Sequence, residues 1–201
     1  MLNSLEDLTK RFAAKNAEIA YYQERQWLIV DARDSPIDDG EIAALAEIAE
    51  FSHLVDLNLA GSQITNASMA YIARCIRLKS IDLGRTRCDE RCLESLTALG
   101  ELKGLGLSQI RLTTKFAIIL QMPSLDLLDL SQSHPTRDEV RSLLTWTKIS
   151  NLNLSGNGFH PEDFADMNVL DDDSRLMSID FDNGVRVAIE RPRFVPNQCD
   201  R

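Results

Sequence analysis

Seven stretches of the chain share one order of apolar and polar positions. They are WLIVDARDSPI, LVDLNLAGSQI, LKSIDLGRTRC, LKGLGLSQIRL, LDLLDLSQSHP, ISNLNLSGNGF and LMSIDFDNGVR, starting at Trp27, Leu54, Leu78, Leu102, Leu125, Ile149 and Leu176. Apolar residues hold the first, fourth and sixth places, and the interior starts lie 24, 24, 23 and 24 residues apart. Within LVDLNLAGSQI, period-two alternation puts Leu57 and Leu59 on one side of a short strand, which Leu54 at its start and Ile64 after the bend are expected to share. The residues that follow change period. Met69, Ile72 and Cys75 recur every third residue, as do Leu93, Leu96 and Leu99; Phe116, Ile119 and Met122; Val140, Leu143 and Trp146; and Phe164, Met167 and Leu170. That spacing makes one face of a short helix. Each unit therefore reads as strand, turn and short helix.

The polar positions support the same division. Asp38, Thr65, Asp89, Thr113 and Thr136 stand where a side-chain oxygen caps a helix start, Glu139 follows Thr136 at capping-box spacing, and Pro161 sits at a first helical place. The first unit is longer, 27 residues, and its stretch EIAALAEIAEF predicts one helix through Ile42, Leu45, Ile48 and Phe51. Ahead of it, Leu5, Leu8 and Phe12 form a helical stripe. At the other end LMSIDFD, Asn183 and Gly184, then VRVAIE predict a β-hairpin with a two-residue turn.

Period and pattern together resemble the leucine-rich repeat family over about residues 27 to 187. The resemblance implies a right-handed α/β solenoid with a parallel inner sheet and short helices on the convex side. No single unit buries its own leucine face, so such arrays need capped ends. The expected organisation is one domain: an N-terminal cap over 1–26, repeats over 27–175, a hairpin cap over 176–191 and a tail over 192–201. Many such repeats carry an asparagine at the ninth place, here present only as Asn157. Ser35, Ser62, Thr86 and Ser133 offer hydroxyls instead, while Ile110 offers none and marks the third full repeat as the one expected to be irregular. Function by resemblance is recognition of another protein.

Composition fits a folded chain, with 44% hydrophobic and 26% charged residues over 201 positions, enough for one core. The apolar runs fall far short of the roughly 20 residues a spanning helix requires. The opening MLNSLEDLTKRFAAKN lacks the apolar centre of an export signal, so the expected location is the cytoplasm. Cys75, Cys88 and Cys92 read as free core thiols; the rival metal reading lacks a Cys-x-x-Cys pair or a nearby histidine. Cys199 lies in a polar tail. No metal and no cofactor is expected.

A formal charge of −9 argues against nucleic acid and anionic membranes and favours a basic protein partner, met by a monomer. On the strands, outward fifth places form the row Asp31, Asn58, Asp82, Gly106, Asp129, Asn153 and Asp180. Its aspartates fall two strands apart, roughly 10 Å, along one stripe. Either Asp and Asn are favoured at this place for a local reason, or the stripe binds. Neighbouring rows add Asp56, Lys79, Lys103 and Asp126, then Arg85, Gln109 and Gln132, and Leu127 is an apolar anchor candidate at an outward place. The flat face offers roughly 500 Å² against about 800 Å² for a standard interface, so flanking loops must contribute.

Catalytic signatures are missing: His53, His134 and His160 lie in different repeats without a nucleophile at a motif spacing. The acidic run Asp171 to Asp173 reads as a solvated loop, and a calcium loop from Asp180 through Asp182 fails because Val185, not glycine, takes its sixth place. The leading expectation is a non-catalytic binding module, an inhibitor or immunity-type protein. The alternative is an adaptor or regulatory subunit of ubiquitin-ligase or GTPase-regulator type, docking through Tyr21, Tyr22 and Trp27. An enzyme is the remote third.

Overall fold

A computed structural model of the chain describes residues 4–145, 149–165, 167 and 178–188. Among the described residues nine strands form one open sheet in chain order: β1 (Glu18–Tyr22), β2 (Trp27–Asp31), β3 (Leu54–Asn58), β4 (Ser80–Asp82), β5 (Gly104–Gly106), β6 (Leu127–Asp129), β7 (Asn151–Asn153), β8 (Ser178–Asp180) and β9 (Arg186–Ala188). β2 to β8 run parallel, and the outermost pairs are antiparallel. Parallel neighbours need a crossover of a dozen or more residues. The repeat period supplies it as a turn and a helical stretch: α2 (Asp39–Leu45), α3 (Met69–Ile72), α4 (Cys92–Leu96) and α5 (Arg137–Thr145), or 3₁₀ turns at Phe116–Gln121 and Pro161–Phe164. The fold is mixed α/β.

The core is the first, fourth and sixth places of each segment, sealed by the helical trios. Leu57, Leu59, Leu83, Leu107, Leu130 and Leu154 are fully buried, and Ile72, Leu93, Ile119 and Val140 meet them from the helical side. Each such side chain contributes roughly 1.5–3 kcal/mol by leaving water. Cys75, Cys88 and Cys92 are buried free thiols, and burial pushes their pKa values up to about 12, 11 and 12. Trp146, Leu170, Asp171 to Asp173 and Cys199 lie outside the described residues.

At the start of the chain, α1 (Leu5–Ala13) buries Leu8 and Phe12 as the stripe predicts. Its neighbour β1 is a finding that leucine spacing does not reveal. The left-handed Asn16 (φ 60°) turns the chain, and EIAYY pairs antiparallel with β2, packing Ile19 and Tyr21 on the core. Pairing also corrects the first segment. The register between β2 and β3 shifts between Leu28 and Ile29, so that Leu28 stands opposite Leu54 and takes the buried first place. Trp27 remains half-buried, with Arg25 and Lys79 standing 5.0 and 5.3 Å from its ring.

Four further expectations are corrected. The helix expected through Phe51 breaks: α2 ends at Leu45 and a 3₁₀ turn occupies Ala49–His53, although Ile42, Leu45, Ile48 and Phe51 are all buried. Thr113 caps no helix; its amide and hydroxyl donate to Glu90 one repeat earlier. The last hairpin does not turn on two residues, because Asp180 pairs with Arg186 and Asp182–Gly184 form a 3₁₀ turn between them. The repeat containing Ile110 keeps the register of its neighbours, with Ile110 itself 2% exposed and its amide bonded to the Leu107 carbonyl.

Candidate protein-binding face

One face of the sheet covers the core, and the other carries the outward places. Register aligns the fifth-place row from Asp31 through Asn58, Asp82, Gly106, Asp129 and Asn153 to Asp180 without a break. A local reason for Asp and Asn in this row is visible. One side-chain oxygen of each accepts the backbone N–H two residues on: Asp31 from Arg33 (3.1 Å), Asn58 from Ala60 (3.1 Å), Asp82 from Gly84 (2.9 Å), Asp129 from Ser131 (2.8 Å) and Asn153 from Ser155 (3.0 Å). Each strand end is thereby closed by its own side chain. At the far end Asp180 is taken by the Arg186 guanidinium, one of whose contacts is 3.0 Å.

The remaining predicted residues fall into three ranks. Asp56 does not share a rank with Lys79, Lys103 and Asp126; it aligns with Ser80, Gly104, Leu127 and Asn151 at the third place. Burial raises its pKa, and the like charge of Asp31 adds to the rise. Lys79, Lys103 and Asp126 form the second-place rank, linked through backbone bonds of 2.8 Å. Leu127 is 45% exposed on a central strand, between polar side chains and Gly104.

Arg85, Gln109 and Gln132 share the eighth place, just past the strand. This place is left-handed in each of the first six repeats, with φ between 53° and 76° at Asp34, Gly61, Arg85, Gln109, Gln132 and Gly156. Side chains here engage one another. Arg85 reaches Asp34 at 2.9 Å across Gly61, and Gln109 donates to Gln132 at 2.7 Å. A Cβ on Gly61 would lie 2.2 Å from Asp34 Oδ1, so glycine is what lets that ion pair pass.

Much of the chain's acidity is used internally. Glu41 accepts from Arg11, Lys15 and the Asp38 amide; Asp39 from Thr65 and Ser68; Glu90 from the amides of Thr113, Thr114 and Lys115; and Asp182 from the amides of Gly156, Asn157 and Gly158. Of the histidines, His53 stacks on Tyr21 and bonds its hydroxyl at 3.1 Å, while at His134 and His160 it is the backbone amide that donates, to Asn157 and Asp163. Among the described residues no group of three or more His, Cys, Asp or Glu is placed to hold a metal ion, and no helix is long and apolar enough to cross a membrane.

Over β5 the face is hollow. Gly104 and Gly106 leave both outward places of that strand without a side chain, and an open depression of about 320 Å³ runs across the face from Ser80 and Asp82 on β4, over Gly104 and Leu127, to Asn153 and Asp180. The alternating glycines of GLG on a central strand are the sequence signal for the hollow, which the fifth-place row alone does not show.

No family model matches the chain, and no curated protein matches it. Among solved structures it is similar to an internalin from Listeria monocytogenes, with 17% identity, a TM-score of 0.47 and coverage of 69% of this chain. The match covers 36% of that protein, so the chain spans about a third of its length. Likeness at this level carries no argument about function, which rests on the geometry of this chain.

Proposed function

We propose that the chain is a right-handed leucine-rich repeat solenoid, capped by residues 1–26 and 176–191, that serves as a non-catalytic protein-binding module. In this reading it is an inhibitor or immunity-type protein of the cytoplasm whose partner is basic. The observation that supports it is the uncovered sheet face. Seven parallel strands present ranks of polar side chains around an exposed Leu127, in an acidic chain. An apolar centre ringed by polar groups is the anatomy of a recognition surface, and opposite net charge speeds encounter.

The test is affinity capture with the chain as bait at low and moderate salt, beside Leu127→Ala and the double variant Asp82→Asn, Asp129→Asn. Asparagine is chosen because Asn58 and Asn153 make the same backbone bond, so charge changes and the strand ends stay closed. A basic protein held by the wild type and bound at least about tenfold more weakly by the variants supports the reading. Partners indifferent to all three substitutions move the site off the sheet. They would favour the adaptor reading, for which Tyr22, 53% exposed beside Trp27 at the first hairpin, is the docking candidate.

A further inference from the structure

The chain crosses glycine gaps on this surface in two ways. At the eighth place, Gly61 separates Asp34 from Arg85, and the gap is closed from within by a carboxylate and a guanidinium 2.9 Å apart. At the fifth place, Gly106 separates Asp82 from Asp129, and both flanks are carboxylates. The Asp82 side chain leans over the gap: a Cβ on Gly106 would lie 2.3 Å from its Oδ1 and 2.5 Å from its Cγ. The Asp82 carboxylate therefore covers Gly106 and faces Asp129 from one strand nearer; the two like charges repel each other, and among the described residues no cation of the chain is bonded to either.

The charge there is also surplus to the fold. Asn58 and Asn153 show that an amide oxygen closes the strand end as well as a carboxylate does. At Asp82 and Asp129 that task uses Oδ1, and Oδ2 accepts no hydrogen bond among the described residues. The same row holds a worked instance of what such a carboxylate receives, since Asp180 takes the Arg186 guanidinium through two nitrogens. Beside the gap, Leu127 and the bare backbone of Gly104 make an apolar wall suited to an alkyl stem.

We infer that the hollow over β5 receives one arginine side chain of a partner protein, its stem along Leu127 and Gly104 and its guanidinium between Asp82 and Asp129. The inference rests on the reading of this face as a protein-binding surface and names what its centre recognises. The two flanking strands place the aspartate backbones roughly 10 Å apart, and the Asp82 carboxylate, drawn over Gly106, narrows the gap to Asp129 to a span for one planar group that donates from both edges. A lysine ammonium is compact and reaches one carboxylate at a time.

The experiment is an amide NMR titration of the full chain with N-acetyl-arginine amide, against N-acetyl-citrulline amide and N-acetyl-lysine amide. Arginine is expected to move the amide signals of Gly104, Gly106, Asp82 and Asp129, with citrulline at least about tenfold weaker, as loss of charge-assisted hydrogen bonds requires. Gly104→Val fills the hollow. Its Cβ lies 3.3 Å from the Ser80 hydroxyl, which can rotate away, so the variant folds and loses the shifts. Asp82→Asn with Asp129→Asn keeps the strand ends and loses them too. Absent shifts, equal shifts with citrulline or lysine, or shifts retained in the variants overturn the proposal. Lysate capture dependent on Leu127 would leave the binding reading standing in that event, so the two fail separately.

Discussion

Glu41 ties the first helix to the rest of the fold, and its removal has a calculable pH signature. The side chain is 6% exposed and accepts three contacts: Lys15 at 2.6 Å, Arg11 at 3.0 Å and the Asp38 amide at 3.1 Å. Burial pushes its carboxyl pKa up, but the bonds from Lys15, Asp38 and Arg11 outweigh it and leave the value near 2, against an ordinary 4.5. Because the folded value is the lower one, the stabilisation is complete above pH 4.5 and drains away as pH falls toward 2. A shift of that size corresponds to about 3 kcal/mol at pH 7, of which roughly half remains at pH 3. Glu41→Gln keeps the shape and a carbonyl for the Asp38 amide while discarding the charge. Urea unfolding of wild type and variant at pH 7 and pH 3 should show a stability gap that narrows by about half or more. Taking the difference between the two proteins cancels Glu90, whose pKa is also held near 2, by its Thr113 and Thr114 contacts against the opposing effect of burial. A gap that stays constant between the two pH values would falsify the assignment of Glu41 as the charged anchor of α1.

Asn157 donates at 2.8 Å to the carbonyls of both Leu130 and Leu154, so Asn157→Ala should cost about 2 kcal/mol in urea unfolding, with Asn157→Ser between it and wild type. Less than about 0.5 kcal/mol would show that water replaces the amide there. The Ser62 hydroxyl is buried without a hydrogen-bond partner among the described residues, so Ser62→Ala should leave stability unchanged or raise it by up to about 1 kcal/mol. A clear drop in melting temperature sinks that expectation. Cys75, Cys88 and Cys92, with pKa values raised by burial, should be inert to a thiol reagent at pH 8 in a Cys199→Ser background and should all react once denaturant unfolds the chain. Fast reaction of any one in the native state means the segment that buries it opens.

What could be read in advance was what repeats. Period and apolar places determine which leucines face the core, because a one-residue slip in a strand moves every side chain to the other face and only one register buries them all. The fifth-place row followed at once from that register. What could not be read was set by singular contacts. Leu28 rather than Trp27 takes the buried place because a register shift in β2 lets Trp27 meet Arg25 and Lys79 on the outside. The helix through Phe51 breaks after Leu45 although its four apolar residues are all buried, since a 3₁₀ turn seats Phe51 against the same core. β1 carries no leucine and is held by its pairing with β2 and by α1.

Charge was the least legible property, for a physical reason. A count of aspartates along a face does not distinguish a carboxylate spent on a neighbouring amide from one left to solvent. Asp182 and Glu90 contribute to the formal −9 as much as Asp82 does, yet each is surrounded by backbone donors of an adjoining repeat. Hydrogen-bonded carboxylates keep their charge, so what is left to bond a partner directly is the set of carboxylate oxygens that remain after those bonds are assigned. On the sheet face that remainder is small and local: Asp31 at one end, Asp82 and Asp129 beside the gap at Gly106, and Asp180 already neutralised by Arg186. Asp56 stands apart, its charge disfavoured by burial and by Asp31. A partner that matched overall charge alone would meet a weak and uneven field, screened within about 10 Å at ordinary salt. Selectivity on such a surface has to come from one or two cations placed at the unspent carboxylates, so salt should weaken encounter more than it weakens the docked complex.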